Sequence, residues 1–372
     1  MKIHLQSPWS FPDSTYYKTL IKYPPKDISY TNIKNIKKGA TTSLNKFLIS
    51  NFIKKYVRAT LNSLKIPLIN AHYTSNDHLF DLIHCAHCLS KNKDKPWVAD
   101  IEGNFSLQLS GYLTKLGKRR IRNVLLRDNC KQIMPWTESI KKEFIKEFPE
   151  LKEKTEVVYP AIPMPKIKPK KKKGPLRIIF VSRYFHLKCG LIVLEVMEQL
   201  RKEYGIEGVI VSGVPSELKE KYPNLKIYDL MPQKKLFNLM GSSDLFLYPS
   251  AADTFGFSLL EAMSFGLPII TINTKWTKSR NEIVKNFENG FIFDVKHLID
   301  YHKIGKKEQK IVSSLVFMCG LLIKNTPLRR QMSKNCLELI NHGKFSINER
   351  NKKLSKIYTE AINNEIVTPF KW

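Results

Sequence analysis

The sequence predicts an α/β protein with two parallel-sheet domains, and three observations lead to that prediction. From residue 176 to about residue 300, short apolar runs alternate with segments of helical periodicity, which is typical of β-α-β units. The first half contains separate short apolar runs, at 2–6, 79–84 and 97–101. Between the halves, residues 160–175 contain five Pro and six Lys, which indicates an extended, solvated linker.

A length of 372 residues is sufficient for two domains of ordinary size. We place the first domain at 1–160, the linker at 161–175 and the second domain at 176–354. Within the second domain, Leu176–Ser182 is rich in β-branched residues and suits a strand buried on both faces of a parallel sheet. The apolar run Ile311–Ile323 is too short to span a bilayer and is predicted to be a buried helix.

The most informative stretch of the chain runs from Tyr248 to Ile270. It is predicted to form a strand, a tight loop, a helix, a turn and a second strand, and the loop at 254–257 opens the helix. Asp253 and Glu261 lie eight positions apart, with a glycine and an apolar run between them. Backbone N–H groups at a helix start suit an anion, and two carboxylates can accept hydrogen bonds from sugar or ribose hydroxyls. This combination indicates a nucleotide-sugar site.

This stretch resembles the signature of family 4 of the retaining GT-B glycosyltransferases, in which two Glu stand eight positions apart before Ala-Met and Gly-x-Pro. Asp253 takes the place of the first Glu. The remaining signature positions match, namely Gly256, Glu261, Ala262, Met263, Gly266 and Pro268. The resemblance covers most of residues 135–360. It implies a GT-B fold, in which two Rossmann-like domains face a cleft and the last helix, here about 355–372, packs back on the first domain.

A second motif follows the strand predicted at Leu176–Ser182. Arg183 and Lys188 have the spacing at which the family places an Arg and a Lys on the nucleotide diphosphate. Fixed cations stabilise the negative charge that develops on the departing diphosphate. The family has Lys-Gly directly, whereas Cys189 intervenes here between Lys188 and Gly190. The alternative for this pair is a solvated Arg and Lys on a loop.

The resemblance also implies roles within the donor site. Glu261 would hold the ribose, Asp253 the sugar hydroxyls, and the backbone amides near 255–257 the sugar and phosphate. The implied donor-binding set is Arg183, Lys188, Asp253, Thr254, Phe255, Gly256, Phe257 and Glu261. The family generally needs no metal, so we expect no metal and no cofactor apart from a nucleoside-diphosphate sugar as co-substrate.

The first half departs from the family in two places. The family often carries a Gly-rich loop after its first strand, but Ser7–Pro12 contains no glycine. The family also has a His after the strand at 97–101, and Glu102 stands there instead, with Asp100 two positions earlier on the same side of the strand. We therefore take Glu102 as a candidate catalytic residue beside Arg183, Lys188 and Asp253. A solvated carboxylate at a strand end is the alternative.

Cysteine usage and the N-terminus bear on the compartment. The six Cys form no disulfide framework, which fits a reducing compartment. Cys85 and Cys88 have zinc-like spacing beside His84 and His87, but no second Cys/His pair follows, so we expect no metal site there. Residues 1–10 lack a signal-peptide pattern. We expect a cytoplasmic protein, with the inner face of the membrane as a peripheral location.

The net charge is +29, from 62 Lys and Arg against 33 Asp and Glu. Two explanations stay open, a Lys-rich proteome and an anionic partner such as a membrane surface. Tyr112–Arg127 interleaves six basic residues with leucines and isoleucine, and is the candidate contact for anionic lipid or a phosphorylated acceptor. A solvated helix face is the alternative there. Thr41–Lys65 is amphipathic at helical period, and we favour a helix packed on a sheet over one lying on a membrane.

The leading hypothesis is a retaining, metal-independent hexosyltransferase that moves a sugar from a nucleoside-diphosphate sugar to a glycan or lipid-linked acceptor. The alternative is a non-catalytic GT-B protein that binds a nucleotide or glycan, which the Asp253 substitution and the missing glycine loop and His would suit. A third class, nucleic-acid binding or modification, rests on charge alone. It is disfavoured because no stacking platform or nucleic-acid motif accompanies the charge.

Overall fold

The computed structural model describes residues 1–6, 15–33, 56, 59–60, 63–64, 68–75, 79–109, 113–166, 174–277 and 279–363. The chain divides into two compact units, one formed by Met1–Ala161 with the segment that begins at Ile347, the other by Ile162–Ser346. The loop at Ser7–Pro12 and most of the predicted helix at Thr41–Lys65 lie outside the described residues, as does the end of the chain after residue 363.

Thirteen strands are found in the described residues. They are β1 (Lys2–Gln6), β2 (Ser29–Thr31), β3 (Ala71–His72), β4 (Leu82–Ala86), β5 (Leu89–Ser90), β6 (Trp97–Ile101), β7 (Cys130–Pro135), β8 (Arg177–Val181), β9 (Glu207–Val211), β10 (Lys226–Tyr228), β11 (Leu245–Tyr248), β12 (Ile269–Asn273) and β13 (Gly290–Asp294).

The α-helices of the described residues connect these strands and close the chain. They are α1 (Thr15–Lys22), α2 (Lys115–Leu125), α3 (Glu138–Glu147), α4 (Gly190–Tyr204), α5 (Ser216–Lys221), α6 (Gln233–Met240), α7 (Phe257–Ser264), α8 (Arg280–Ile283), α9 (Lys306–Lys324), α10 (Thr326–Asn341) and α11 (Ile347–Asn363). Short 3-10 helices lie at Asn104–Ser106 and Pro149–Lys154.

The first unit is built on a five-stranded sheet in the order β2-β1-β4-β6-β7, and all its pairings are parallel. β3 and β5 pair as a separate two-stranded parallel ladder. From β1 the chain goes to β2 on one side and later to β4 on the other, so the topological switch point lies between β1 and β4. β4 and β6 are buried along their whole length, as strands covered on both faces require.

The second unit is built on a six-stranded parallel sheet in the order β10-β9-β8-β11-β12-β13. This is the order of a Rossmann sheet, with the switch point between β8 and β11. Helices α4 and α9 pack together. The predicted α/β class with two Rossmann-like parallel sheets is confirmed, and the run at Ile311–Ile323 is part of the helix α9.

One strand of the first unit begins later than predicted. The apolar run 79–84 suggested a strand, but β4 spans Leu82–Ala86, and Leu79 is 89% exposed. Asp81 explains the late start, because its carboxylate accepts a hydrogen bond from the backbone N–H of Lys2 (2.8 Å) and its own N–H donates to the Lys2 carbonyl (2.8 Å). The two strands therefore begin their ladder one residue further on, at Ile3 and Leu82.

Candidate functional site

The candidate site residues of the second unit lie at the carboxyl edge of its sheet. Arg183 and Lys188 follow β8, and Asp253 follows β11. β8 and β11 are neighbours on either side of the switch point. In open parallel sheets this is where a crevice forms beyond the strand ends and where ligands bind.

Two backbone positions shape this edge. Gly256 precedes α7 with φ 102, a left-handed conformation that favours glycine. Cys189 precedes α4 with φ 56, which is uncommon for a residue with a side chain. The next residue must be small, because a Cβ on Gly190 would lie 2.2 Å from ring carbons of Phe185. Cys189 therefore makes the left-handed turn itself, and Gly190 is required for a close contact.

Asp253 is the centre of a polar cluster at this edge. Its Oδ2 accepts a hydrogen bond from the Tyr248 hydroxyl (3.0 Å) and lies 3.3 Å from Lys188 Nζ and 3.7 Å from Arg280 Nη2. Its Oδ1 accepts a hydrogen bond from the backbone N–H of Thr254 (3.1 Å). The structure thus brings Lys188 and Asp253 together, and one carboxylate oxygen is already engaged by three protein groups.

Burial sets the protonation behaviour of this cluster. Lys188 is buried and donates a hydrogen bond to the carbonyl of Ala252 (2.5 Å). Burial lowers the pKa of Lys188, Asp253 opposes that effect, and the charge of Arg280 adds to it, so that the pKa lies below the usual value. Burial and the Asp253 charge raise the pKa of Tyr248 well above its usual value, so this phenol stays a hydrogen-bond donor.

Glu261 lies on α7, and its carboxylate forms no hydrogen bond with a described residue. Burial raises the pKa of Glu261 to about 7, and the charge of Arg183 moderates that rise. Arg183 is exposed and forms no ion pair or hydrogen bond within the described part of the chain. A desolvated carboxyl group and a cation without a protein partner are what a polar, anionic ligand would satisfy.

The remaining predicted donor-binding residues differ in what they can offer. Thr254 is exposed. Phe255 is only 2% exposed, and its ring packs against those of Phe257 and Phe345, with centroids 5.2 and 6.3 Å away. The first amides of an α-helix have no intrahelical partner, so this segment can contribute its backbone N–H groups at the start of α7 while the Phe255 side chain belongs to the core.

Arg280 is the residue of this edge that the sequence did not single out. It begins α8, is 1% exposed, and its guanidinium lies 5.7 Å from the centre of the Tyr248 ring. Its partner Asp253 belongs to another loop, so no local pattern connects the two.

Glu102 lies in the first unit, directly after β6 at the carboxyl edge of that sheet. Its Oε2 is 3.7 Å from Nε2 of His87. Asp100, within β6, is 1% exposed and accepts hydrogen bonds at 3.0 Å from the Tyr17 hydroxyl, from His84 Nε2 and from the backbone N–H of His87. Asp100 and Glu102 are thus both joined to His87, which the sequence suggested only as a neighbour of a zinc-like Cys pair.

His87 is held in an unusual conformation. It follows β4 with φ 53 and is 8% exposed, its Nδ1 lies 3.0 Å from Asp100 Oδ1, and its ring packs against Trp136 at a centroid distance of 4.7 Å. Burial lowers the pKa of His87, but the charge of Asp100 in contact with the ring, together with Glu102, outweighs it and raises the pKa. Residues in strained backbone conformations concentrate at functional sites, which makes His87 a candidate that sequence reasoning missed.

No cluster of three or more His, Cys, Asp or Glu side chains that could hold a metal ion is found in the described residues. Cys85 and Cys88 are buried against Gln6 instead, and their Sγ atoms lie 3.1 Å from its Oε1 and 3.5 Å from its carbonyl oxygen. In the same part of the chain, no single helix is long and apolar enough to cross a membrane; α9 and α10 pass by length and composition only as a pair bent by 99°.

Residues 164–313 match the sequence profile of the family described as glycosyl transferases group 1. A comparison with curated proteins returns no match. Among solved structures, the chain resembles a glycosyltransferase from Rickettsia africae, with 15% identity, a TM-score of 0.61 and 98% of both chains covered. It also resembles WaaG, a glycosyltransferase of lipopolysaccharide biosynthesis, with 15% identity, a TM-score of 0.54, and 96% of this chain and all of WaaG covered.

A third similar structure is the pneumococcal O-GlcNAc transferase GtfA in complex with UDP and GlcNAc. The identity is 15% and the TM-score 0.56, with 82% of this chain and 60% of GtfA covered. In the GtfA/B complex the chain likewise spans 61% of the matched chain. At these identities the likeness establishes the fold, which is that of the GT-B glycosyltransferases.

Proposed function

We propose that this chain is a glycosyltransferase that uses a nucleoside-diphosphate sugar as donor, because residues 164–313 match the profile of glycosyl transferases group 1 and the chain has the GT-B fold. It moves a hexosyl group to a glycan or lipid-linked acceptor, with retention of anomeric configuration and without a metal ion.

The observation that carries this proposal is the convergence of charged groups at the switch point of the second sheet. Lys188 after β8 and Asp253 after β11 are in contact, while Arg183 and Glu261 on the flanking segments are without hydrogen-bond partners in the described chain. The diphosphate fits Arg183, Lys188 and the first amides of α7, and the ribose hydroxyls fit the Glu261 carboxylate. Asp253 has capacity left on Oδ1, which among the described residues receives only the Thr254 N–H, and can accept a sugar hydroxyl there.

The transfer needs positive charge where the leaving group forms. The bond between the sugar C1 and the diphosphate oxygen breaks, and its electron pair stays on the diphosphate. The acceptor oxygen bonds to C1 on the same face, and its proton passes to the diphosphate. Arg183, Lys188 and the helix start stabilise the charge on the diphosphate as it grows, which is the contribution a divalent cation makes in other transferases.

The test is a transfer and hydrolysis assay with UDP-, GDP-, ADP- and CMP-sugars, with and without EDTA. We expect turnover of one nucleoside-diphosphate donor, and not of CMP-sugars, that EDTA does not change, and a loss of tenfold or more in Glu261→Ala, Arg183→Ala and Lys188→Ala. Matched controls are Glu288→Ala and Lys202→Ala, whose side chains are 62% and 69% exposed in the same unit. Unchanged turnover in all three site variants would remove the site assignment. Binding without any transfer or hydrolysis would favour the non-catalytic alternative.

On the acceptor side, we propose that Glu102 accepts a hydrogen bond from an acceptor or sugar hydroxyl beside His87. The two side chains meet at the carboxyl edge of the first sheet, where the strained backbone of His87 directs its ring. Glu102→Gln should raise the KM for acceptor and leave the dissociation constant of the nucleotide within about twofold. A larger effect on nucleotide binding than on acceptor KM would contradict this role.

The basic helix α2 supports a further part of the proposal, peripheral binding to an anionic membrane from the cytoplasmic side. Lys118 and Arg122 are paired with Glu147 and Glu150, but Lys115, Arg119 and Arg120 form no ion pair with a described residue, and Leu116 beside them is 50% exposed. Unpaired cations around an exposed leucine suit an anionic lipid surface.

We expect sedimentation with phosphatidylglycerol vesicles that weakens as salt rises and is absent with phosphatidylcholine vesicles. The double variant Arg119→Ala and Arg120→Ala should reduce it severalfold, whereas Lys118→Ala, which removes an already paired cation, should have less effect. No binding to anionic vesicles even at low salt would leave a soluble acceptor.

A further inference from the structure

Arg280 belongs to the polar cluster around Asp253 in the second unit, and hydrogen bonds hold its guanidinium in place. Its Nη1 donates to the carbonyl of Ile272 (2.7 Å), to the carbonyl of Ser250 (3.1 Å) and to the hydroxyl of Thr271 (3.3 Å). These acceptors lie in or just after β11 and β12, so the guanidinium is anchored to the ends of two adjacent strands.

The other nitrogens of Arg280 are not satisfied. Nε and Nη2 are buried and form no hydrogen bond with a described residue, and Nη2 faces Asp253 Oδ2 at 3.7 Å. The ammonium of Lys188 lies on the other side of the same oxygen, at 3.3 Å. Both cations are 5.7 Å from the centre of the Tyr248 ring. Two cations therefore share one carboxylate.

The charges of this cluster do not balance. Lys188 and Arg280 are 8% and 1% exposed, so both positive charges are largely removed from water, and Asp253 compensates only one of them. A buried charge without a partner is costly, and a purely structural ion pair would need only one cation. Arginine cannot lose its proton at ordinary pH, so the cluster keeps the surplus charge as long as Lys188 is protonated. An anion bound beside Lys188 would compensate it.

We propose that Arg280 is a positioning residue of the donor site that, through Asp253, keeps the charge of Lys188 available to the diphosphate of the donor. If Asp253 had Lys188 as its only partner, the pair would be neutral and would attract a diphosphate weakly. With Arg280 anchored to the strand ends, Asp253 is shared and the cluster keeps one surplus positive charge. This inference rests on the proposed function, since it concerns how the same site binds its nucleotide.

The pKa of Lys188 gives a second, independent readout of this cluster. The charge of Arg280 is one of the effects that lower the pKa of Lys188. The other charged and titratable groups around Lys188 are Asp253, which raises that pKa, and Cys189 and Tyr248. Diphosphate binding should therefore weaken at alkaline pH as Lys188 loses its proton, and removing the Arg280 charge should move this loss to higher pH.

The experiment compares a nucleoside diphosphate with its own nucleoside by calorimetry. The diphosphate is the one of UDP, GDP, ADP and CDP that binds the wild-type protein most tightly. Arg280→Gln keeps hydrogen-bond donors for the strand-end carbonyls but removes the charge. We expect it to weaken the diphosphate roughly tenfold, to change the nucleoside by less than twofold, and to move the alkaline loss of binding to higher pH. Arg280→Lys keeps the charge and should stay within about threefold of wild type for both ligands.

Several results would overturn the inference. In Arg280→Gln, equal weakening of diphosphate and nucleoside would indicate a structural role, and no change in either would indicate no role. If Arg280→Gln does not fold, Arg280→Lys is the deciding variant. The inference is supported if this variant prefers the diphosphate to the nucleoside by the same factor as the wild-type protein. It is contradicted if that preference is lost. If the wild-type protein binds none of the four diphosphates, the proposed function itself fails, which is a separate outcome.

Discussion

Asp100, near the end of β6 in the first unit, and Asp253, in the loop after β11 in the second, each lie at the carboxyl end of a parallel sheet, but their partners differ in kind. Asp100 is surrounded by His84, His87 and Tyr17, none of which carries a fixed charge. Asp253 is flanked by a lysine and an arginine. The charge at the first edge can therefore follow pH, whereas the second edge stays positive, as a site for a diphosphate requires.

The same contrast is visible in the backbone. Each edge has a residue with a side chain in the left-handed region, His87 at φ 53 and Cys189 at φ 56. At the first edge the strained residue is His87, whose titratable ring lies beside Glu102. At the second edge it turns the chain into α4 directly after Lys188, and the Cys189 thiol is buried. The strained residue is thus a candidate functional group in one unit and part of the scaffold in the other.

The largest effect is expected from removing the Lys188 cation at the second edge. Lys188→Ala should lower turnover roughly a hundredfold, because a fixed cation at the leaving group stabilises the transition state more than the ground state. Steady-state kinetics of this variant beside Lys202→Ala measures the effect. If the two variants behave alike, the positive second edge has no catalytic meaning.

Glu261 offers a stability test of the same edge. Its folded pKa of about 7 lies above the usual value near 4.5, so the folded state holds this proton more tightly than the unfolded chain. Stability is then lost as pH rises from about 4.5 to 7 and stays constant above that. Glu261→Gln should raise the free energy of unfolding by roughly 1–3 kcal/mol at pH 8, by less at pH 5, and should abolish nucleotide binding.

Urea denaturation at both pH values, with Glu288→Gln as the exposed control, measures this. A variant that is less stable at pH 8 would show that the carboxyl group is not desolvated in the folded protein. A variant that is more stable but binds nucleotide normally would separate Glu261 from the ligand.

The free energy of unfolding should also depend on pH through the first edge, but by a smaller amount. The cause there is a nearby opposite charge and not burial. The pKa of His87 is raised, so its protonated form stabilises the fold below the usual histidine value near 6.5, and this contribution is lost as pH rises through the raised folded pKa. His87→Asn removes the titration with a residue that tolerates the left-handed region. The wild-type protein should lose about 1 kcal/mol across this range relative to the variant. Parallel curves for the two proteins would mean that His87 is not protonated with Asp100.

The smallest effect is expected at Cys189. Cys189→Gly relieves the left-handed strain but loses the buried thiol, so the two terms should cancel to within about 1 kcal/mol. Cys189→Ala keeps the strain and loses the thiol, and should be the less stable variant by thermal or urea denaturation. The reverse order would show that the side chain at 189, and not its backbone, matters to this edge.

Apolar runs were sufficient to predict the central strands, because buried parallel strands are apolar along their whole length. Trp97–Ile101 is a strand with the predicted limits, and Leu176–Ser182 contains β8. The predicted limits of β4 were wrong, since the pairing of Asp81 with Lys2 depends on a neighbour that is distant in sequence. The periodicity of Thr41–Lys65 falls mostly outside the described residues and stays a prediction.

For the candidate site, the sequence could indicate only what one short segment encodes. Asp253, Gly256 and Glu261 belong to one loop and helix, so their spacing is readable. Arg280 and His87 are brought to their carboxylates by the order of strands in each sheet, which no local pattern reports. Their importance follows from burial and from the partners that the fold supplies.

The claim that the second edge is a nucleotide-sugar site is tested most directly by thermal stabilisation. The wild-type protein and Glu261→Ala are melted with UDP-, GDP-, ADP- and CMP-sugars, with and without EDTA. A ligand that binds only the folded state raises the melting temperature. We expect one nucleotide class to stabilise the wild-type protein, with EDTA having no effect and Glu261→Ala showing no shift. No shift with any donor, or an equal shift in the variant, would contradict the account.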